Sequence, residues 1–197
     1  SIILAKELIK ISPKGLTKVF YSDNGSTAVE VALKLAIQYW QQQSTLKKKK
    51  KYFIRLDAAY HGDTMGSMSV SGLDLFHERF RSMLFPTISL DAPYCYRCPM
   101  NLQYPSCNKI CIDPLEEILA KRHQHIAGVI IEPMIQAVAG MIVQPHGYLS
   151  RIRELCTQYN VLLIADEVAT GFGRTGKWFA CNHEKITPDL MCIAKGL

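Results

Sequence analysis

The strongest constraint in this 197-residue chain is a repeated pairing of a short apolar run with a stretch of helical spacing, the runs ending on charge. GVII (128–131) stops at Glu132, VLLIA (161–165) at Asp166 and Glu167, and LMCIA (190–194) at Lys195. Between such runs the period is near 3.6. Val29, Ala32, Leu33, Ala36, Ile37 and Trp40 share one helix face, and so do Leu149, Ile152, Leu155, Cys156 and Tyr159. Strands apolar on both faces, alternating with helices, predict an α/β fold: a mostly parallel sheet covered by helices on both sides. Ligands of such sheets collect at the carboxyl ends of the strands, so Glu132, Asp166 and Lys195 are expected to converge on one cleft.

Other elements follow from the same reading. Ile2 to Ile11 forms an amphipathic helix, and Lys18 to Ser22 and Tyr52 to Leu56 form strands. Asp113 caps a helix with Pro114 at its first position, carrying Leu115, Ile118 and Leu119. Ser44 to Lys51 reads as a solvated basic connection, and Asp91 to Cys111 as a long irregular one with three prolines. The net charge of +6 includes the five lysines 47–51; the remainder is +1, which speaks against a nucleic-acid surface. Neither a membrane span nor a signal peptide is visible. Seven cysteines, an odd number without an export signal, point to a reducing, cytoplasmic setting. A first residue other than Met, and a helical stripe already running at Ile2, lead us to expect the inside of a longer protein.

Two segments add chemistry to the cleft. Asp23-Asn24-Gly25-Ser26-Thr27 opens the long helix, where backbone N–H groups and the helix dipole suit an anion, although the same residues also make an ordinary cap. The segment has neither a P-loop lysine nor GxGxxG spacing, which argues against nucleotide hydrolysis or dinucleotide binding. Tyr60-His61-Gly62-Asp63-Thr64 follows another strand and brings an aromatic ring to the same rim. An anion cradle, a flat ring, a carboxylate and a lysine are the parts that hold a phosphorylated aromatic aldehyde.

The segments NGSTAVEVALKLA, YHGDTMGSMSVSG, IIEPMIQAVAGM and LLIADEVATGFGRTGKWFACNHEKITPDLMCIAKGL resemble the class III, fold-type I pyridoxal-phosphate aminotransferases. The resemblance implies that residues 1–197 are the central part of the large cofactor-binding domain, without its amino-terminal segment and small carboxy-terminal domain. It implies pyridoxal 5'-phosphate as cofactor, with Lys195 as the catalytic lysine that carries it and moves the proton. Asp166 matches the carboxylate on the pyridine nitrogen, Gly25 and Ser26 the phosphate pair, and Tyr60 the stacking aromatic that also borders substrate. Val168 matches the opposite ring face. Glu132 and Gln136, in the EPxxQ segment, match residues orienting the cofactor's hydroxyl side. Arg174 is a candidate for a substrate carboxylate, or for nearby backbone carbonyls.

Within the class, VEVALKLAIQYW, ATGFGRTGKWFAC and PDLMCIAKGL most resemble the biotin-synthesis branch. That implies a small-molecule amino donor, S-adenosylmethionine or lysine, and conversion of 8-amino-7-oxononanoate to 7,8-diaminononanoate in a homodimer. The alternatives are another class III enzyme acting on ω-amino acids or diamines, and an inactive truncated product. Separately, Cys95, Cys98, Cys107 and Cys111 are spaced as two close pairs that suit a tetrahedral metal, or four small apolar residues; a metal-stapled interaction module is the reading they would support. Cys156, Cys181 and Cys192 read as core.

Overall fold

The computed structural model describes residues 1–43 and 50–197, with Asp74 through its backbone alone. The chain runs through α1 (Ile2–Ile11), α2 (Gly25–Gln41), β1 (Tyr52–Leu56), α3 (Met65–Ser69), α4 (Asp74–His77), β2 (Ile88–Leu90) and α5 (Asp113–Arg122). It continues through β3 (Ile126–Ile131), the short pair β4 (Ile135–Gln136) and β5 (Ile142–Val143), α6 (Tyr148–Gln158), β6 (Leu162–Asp166) and β7 (Leu190–Cys192). Five strands form one sheet in the order β2-β1-β3-β6-β7, all parallel. The strand order reverses around β1, which puts a crevice between the carboxyl ends of β1 and β3.

Strand alternation divides the core in two. From β3, Ile126, Val129 and Ile131 enter a cluster with Leu115 and Leu119 of α5 and Leu149, Ile152 and Leu155 of α6. Ala127 and Ile130 point the other way, into a cluster with Val29, Leu33, Ala36 and Trp40 of α2. This two-sided burial is why the strands read as unbroken apolar runs.

One irregularity fixes how α2 sits. Tyr52 pairs with Ile126 but Phe53 with Gly128, so Ala127 is an extra residue bulged out of the ladder. Its carbonyl accepts the indole N–H of fully buried Trp40 at 2.8 Å, so the last turn of α2 is bonded to the sheet at the bulge.

Several expectations need correction. Lys18–Ser22 is not a strand: it has no ladder partner among the described residues and lies across a groove of about 500 Å³ from β7. The last strand ends at Cys192, two residues before Ala194. Helix α2 already starts at Gly25, inside the segment expected to precede it, because Asn24 accepts the Thr27 N–H at 3.1 Å and Thr27 Oγ1 accepts the Asn24 N–H at 3.0 Å. Ile112 is the cap of α5, so Asp113 is its first residue, where its charge favours the helix dipole.

Of the connection expected to be solvated, residues 44–49 lie outside the described ones, and Lys50 is buried. Its Nζ donates to the carbonyls of His123 (2.7 Å), Asn160 (2.8 Å) and Ile126 (3.2 Å) and lies 4.5 Å over the Trp40 ring. Cys156, Cys181 and Cys192 are core residues, as expected.

Candidate active site

The carboxyl ends of β3, β6 and β7, the start of α2 and the loop after β1 surround one cavity of about 490 Å³. Gly25, Ser26, Tyr60, Glu132, Asp166, Val168 and Lys195 all line it. Gln136 and Arg174 do not. Gln136 is buried and donates to the Asp57 carbonyl at 2.8 Å, while Arg174 is exposed and makes no hydrogen bond to a backbone carbonyl among the described residues.

The α2 end of the cavity is built for close approach. Asn24 and Thr27 satisfy each other, which leaves the N–H groups of Gly25 and Ser26 without a hydrogen bond among the described residues. A Cβ on Gly25 would meet Val168 Cγ1 at 2.7 Å. Gly62, at φ +120°, lets its loop pass directly over Ser26, and the Asp63 N–H donates to Ser26 Oγ at 3.3 Å. Two loops and the helix start are thereby held together around unpaired N–H donors, an arrangement that attracts an anion.

Asp166 ends β6 and is buried. Its Oδ2 lies 2.7 Å from His61 Nδ1, and Oδ1 accepts the Val168 N–H at 3.1 Å. His61 is also buried, and its Nε2 has no partner among the described residues. The next residue, Glu167, points to the opposite face. It accepts N–H groups from Ala180 (2.9 Å) and Cys181 (2.8 Å) and the Thr170 hydroxyl (2.5 Å), all inside the core. Only one of the two adjacent carboxylates therefore belongs to the cavity.

Glu132, at the end of β3, accepts the N–H of Tyr60 at 2.9 Å and of Ala137 at 3.0 Å. Burial pushes its carboxyl above the ordinary range, partly offset by His61 and those two donors. The Tyr60 hydroxyl donates to Asp63 at 2.7 Å, and the ring stacks on His77 with centroids 6.2 Å apart. Burial and the bond to Asp63 raise this phenol to about 12. Lys195 is exposed at the mouth, in a left-handed backbone conformation at φ +48°.

The profile of the family described as aminotransferase class III matches residues 1–197. The chain belongs to the class III aminotransferases. It is 54% identical, over its whole length, to 43% of the adenosylmethionine-8-amino-7-oxononanoate aminotransferase of Geobacter sulfurreducens. The crystal structure of the Methanocaldococcus jannaschii enzyme of the same name superposes with a TM-score of 0.87 at 41% identity, covering 99% of this chain and 42% of that one. A pyridoxal-phosphate-bound amine transaminase from an uncultivated Pseudomonas species superposes at 0.83 and 41% identity, over 89% of this chain and 39% of that one. The chain thus spans less than half the length of these relatives. Members of this family depend on pyridoxal phosphate.

His61 is the residue that sequence reasoning missed. Its signal was available, since it sits beside Tyr60 past the end of β1, but a lone histidine gives no sign of its partner 105 positions away. The four loop cysteines do gather around a separate small cavity. Among the described residues, however, no group of three or more His, Cys, Asp or Glu side chains is already arranged to hold a metal ion.

Proposed function

We propose that the whole protein to which this chain belongs transfers an amino group to 8-amino-7-oxononanoate, giving 7,8-diaminononanoate on the route to biotin. The single observation carrying this reading is one cavity that unites an anion-binding helix start, the buried Asp166 and Lys195, in a chain 54% identical to a relative of that name. A second reading, an aminotransferase for other amines, is supported by the likeness to amine transaminases at up to 41% identity.

The residues present fit pyridoxal phosphate. The cavity has the size of a cofactor site, two glycines stand where a Cβ would intrude, and Gly25 and Ser26, whose N–H groups have no partner among the described residues, line it. Gly25 and Ser26 would bind the phosphate with Val168 and Tyr60 along the ring faces, Asp166 would hold the ring nitrogen's proton, and Glu132 would fix the hydroxyl side. Pyridoxal phosphate supplies a carbonyl that takes up an amine and a protonated ring that accepts the electron pair released at the adjoining carbon.

His61 and the Val168 N–H fix the Asp166 carboxylate so that it need not reorganise when it receives charge. Lys195, which lines the same cavity, would hold the cofactor through its amine, and its Nζ would be the group that accepts and returns the proton. The clip from Tyr60 to Asp63 and His77 keeps the aromatic wall in place.

We read residues 1–197 as the central part of the large domain, working in a cytoplasmic homodimer. The reading is supported by seven free thiols and by exposed Leu75, Phe76 and Met83, an apolar patch that a second subunit would cover. No helix among the described residues is long and apolar enough to cross a membrane.

The test is to express the full-length protein, follow its absorption with pyridoxal phosphate, and assay 8-amino-7-oxononanoate against ω-amino acids and diamines. S-adenosylmethionine and lysine are compared as donors. Preference for 8-amino-7-oxononanoate supports the proposal; preference for a simple amine replaces it with the second reading; no Lys195-dependent band refutes both.

A further inference from the structure

Outside the cleft, the densest cluster of reactive side chains is in the loop from Asp91 to Cys111, which the aminotransferase reading does not use. This stretch joins β2 to α5 with only one-turn 3₁₀ segments at Cys95–Arg97 and Ile110–Ile112. Its backbone hydrogen bonds are local turns, such as Arg97 to Tyr94, Asn101 to Cys98 and Ile110 to Cys107. Tyr96, Met100, Leu102, Tyr104 and Ile110 are exposed, so the loop has little apolar interior of its own. An irregular connection this long in a compact fold calls for something that holds it.

Cys95, Cys98, Cys107 and Cys111 are free thiols, each half-buried, and all four line one cavity of about 20 Å³. A space of that size admits a single water-sized body. We propose that these four cysteines bind one zinc ion as thiolates and so staple the loop against the start of α6. The two close pairs, two and three residues apart in their spacers, each supply two corners of a tetrahedron, and sulfur is the donor zinc favours in closed sites. Pro145 shares the cavity and Tyr104 reaches the His146 carbonyl, which places the staple at the α6 end.

Because no three of these side chains are yet arranged to hold an ion, binding has to draw the thiols inward. A loop whose backbone hydrogen bonds are all local turns can comply. On binding, four thiol protons leave to solvent and the site becomes dianionic; Lys109 on the cavity wall and Arg97 between the first two cysteines provide compensating charge.

The full-length protein, produced without a histidine tag in zinc-supplemented medium, is measured for metal by mass spectrometry. About one zinc per chain is expected, and cobalt put in its place should give thiolate charge-transfer and tetrahedral d–d bands. Cys107→Ser with Cys111→Ser should cut bound zinc at least ~10-fold while far-ultraviolet circular dichroism and pyridoxal-phosphate uptake hold. Should that variant not fold, the cobalt spectrum of the unaltered protein decides. Zinc below roughly a tenth of an equivalent with no cobalt bands overturns the site, and iron in its place overturns the zinc assignment. Cofactor binding is read separately, so this proposal and the aminotransferase reading fail independently.

Discussion

The two ends of the sheet both bury charge, and they do so differently. At the amino ends of the strands, Lys50 is enclosed by three carbonyls and an aromatic face, a cation whose donors are used up by the protein itself. At the carboxyl ends, Asp166 is oriented by two donors, yet around it His61 Nε2 and the N–H groups of Gly25 and Ser26 are unpaired among the described residues. Saturated polar groups hold a fold together, whereas pre-oriented groups with open valences wait for a ligand. The same contrast occurs within a single dipeptide: Glu167 takes its three donors inside the core, whereas Asp166 takes two and lines the cavity.

The contrast can be broken from the functional end first. Lys195→Ala should lower amino transfer by the full protein at least ~1000-fold, while the unfolding free energy from urea titration, the side chain being exposed, changes by no more than about 0.5 kcal/mol. A large stability loss instead would mean that Lys195 is structural.

At Glu167 the opposite pattern is expected. Glu167→Ala strands two buried N–H groups and a hydroxyl and should cost about 3 kcal/mol in chemical denaturation, with cofactor binding lost only in proportion to unfolding. Lys50→Met, which leaves three carbonyls facing an apolar chain, should cost about 2 kcal/mol and leave the cofactor spectrum unchanged.

The smallest effect sharpens the comparison through pH. The Glu132 carboxyl is raised, so the native state holds its proton more tightly than the unfolded chain does. Its contribution to stability is therefore present below the ordinary carboxylate range and is lost as pH rises through the raised value. Denaturation midpoints of the unaltered protein and Glu132→Gln, followed from acid to neutral pH, should show that decline in the first and a flatter profile in the second.

Much of this was legible in the sequence because both faces of the strands are buried: β1, β3 and β6 announce themselves as apolar runs, and α2 and α6 as stripes. The convergence of Glu132, Asp166 and Lys195 followed from parallel topology alone. What could not be read has physical reasons. Lys18–Ser22 has strand-like composition, but a strand exists only by pairing. β2 is three residues long, and α3 is a turn of small residues with no apolar stripe. Lys50 was hidden in a run of like charges, where nothing local distinguishes the one lysine that is buried. Glu167 could have been assigned, since neighbours along a strand face opposite sides.

The bond from Trp40 to the bulge has an optical consequence. The chain has two tryptophans: Trp40 is sealed beneath Lys50, and Trp178 is more than half exposed on the turn that follows β6. Their emission should separate into a blue, quencher-resistant band and a red, quencher-accessible one. Fluorescence of the unlabelled protein would then report, at two colours, whether the base of the sheet and the loop after β6 open together or in turn.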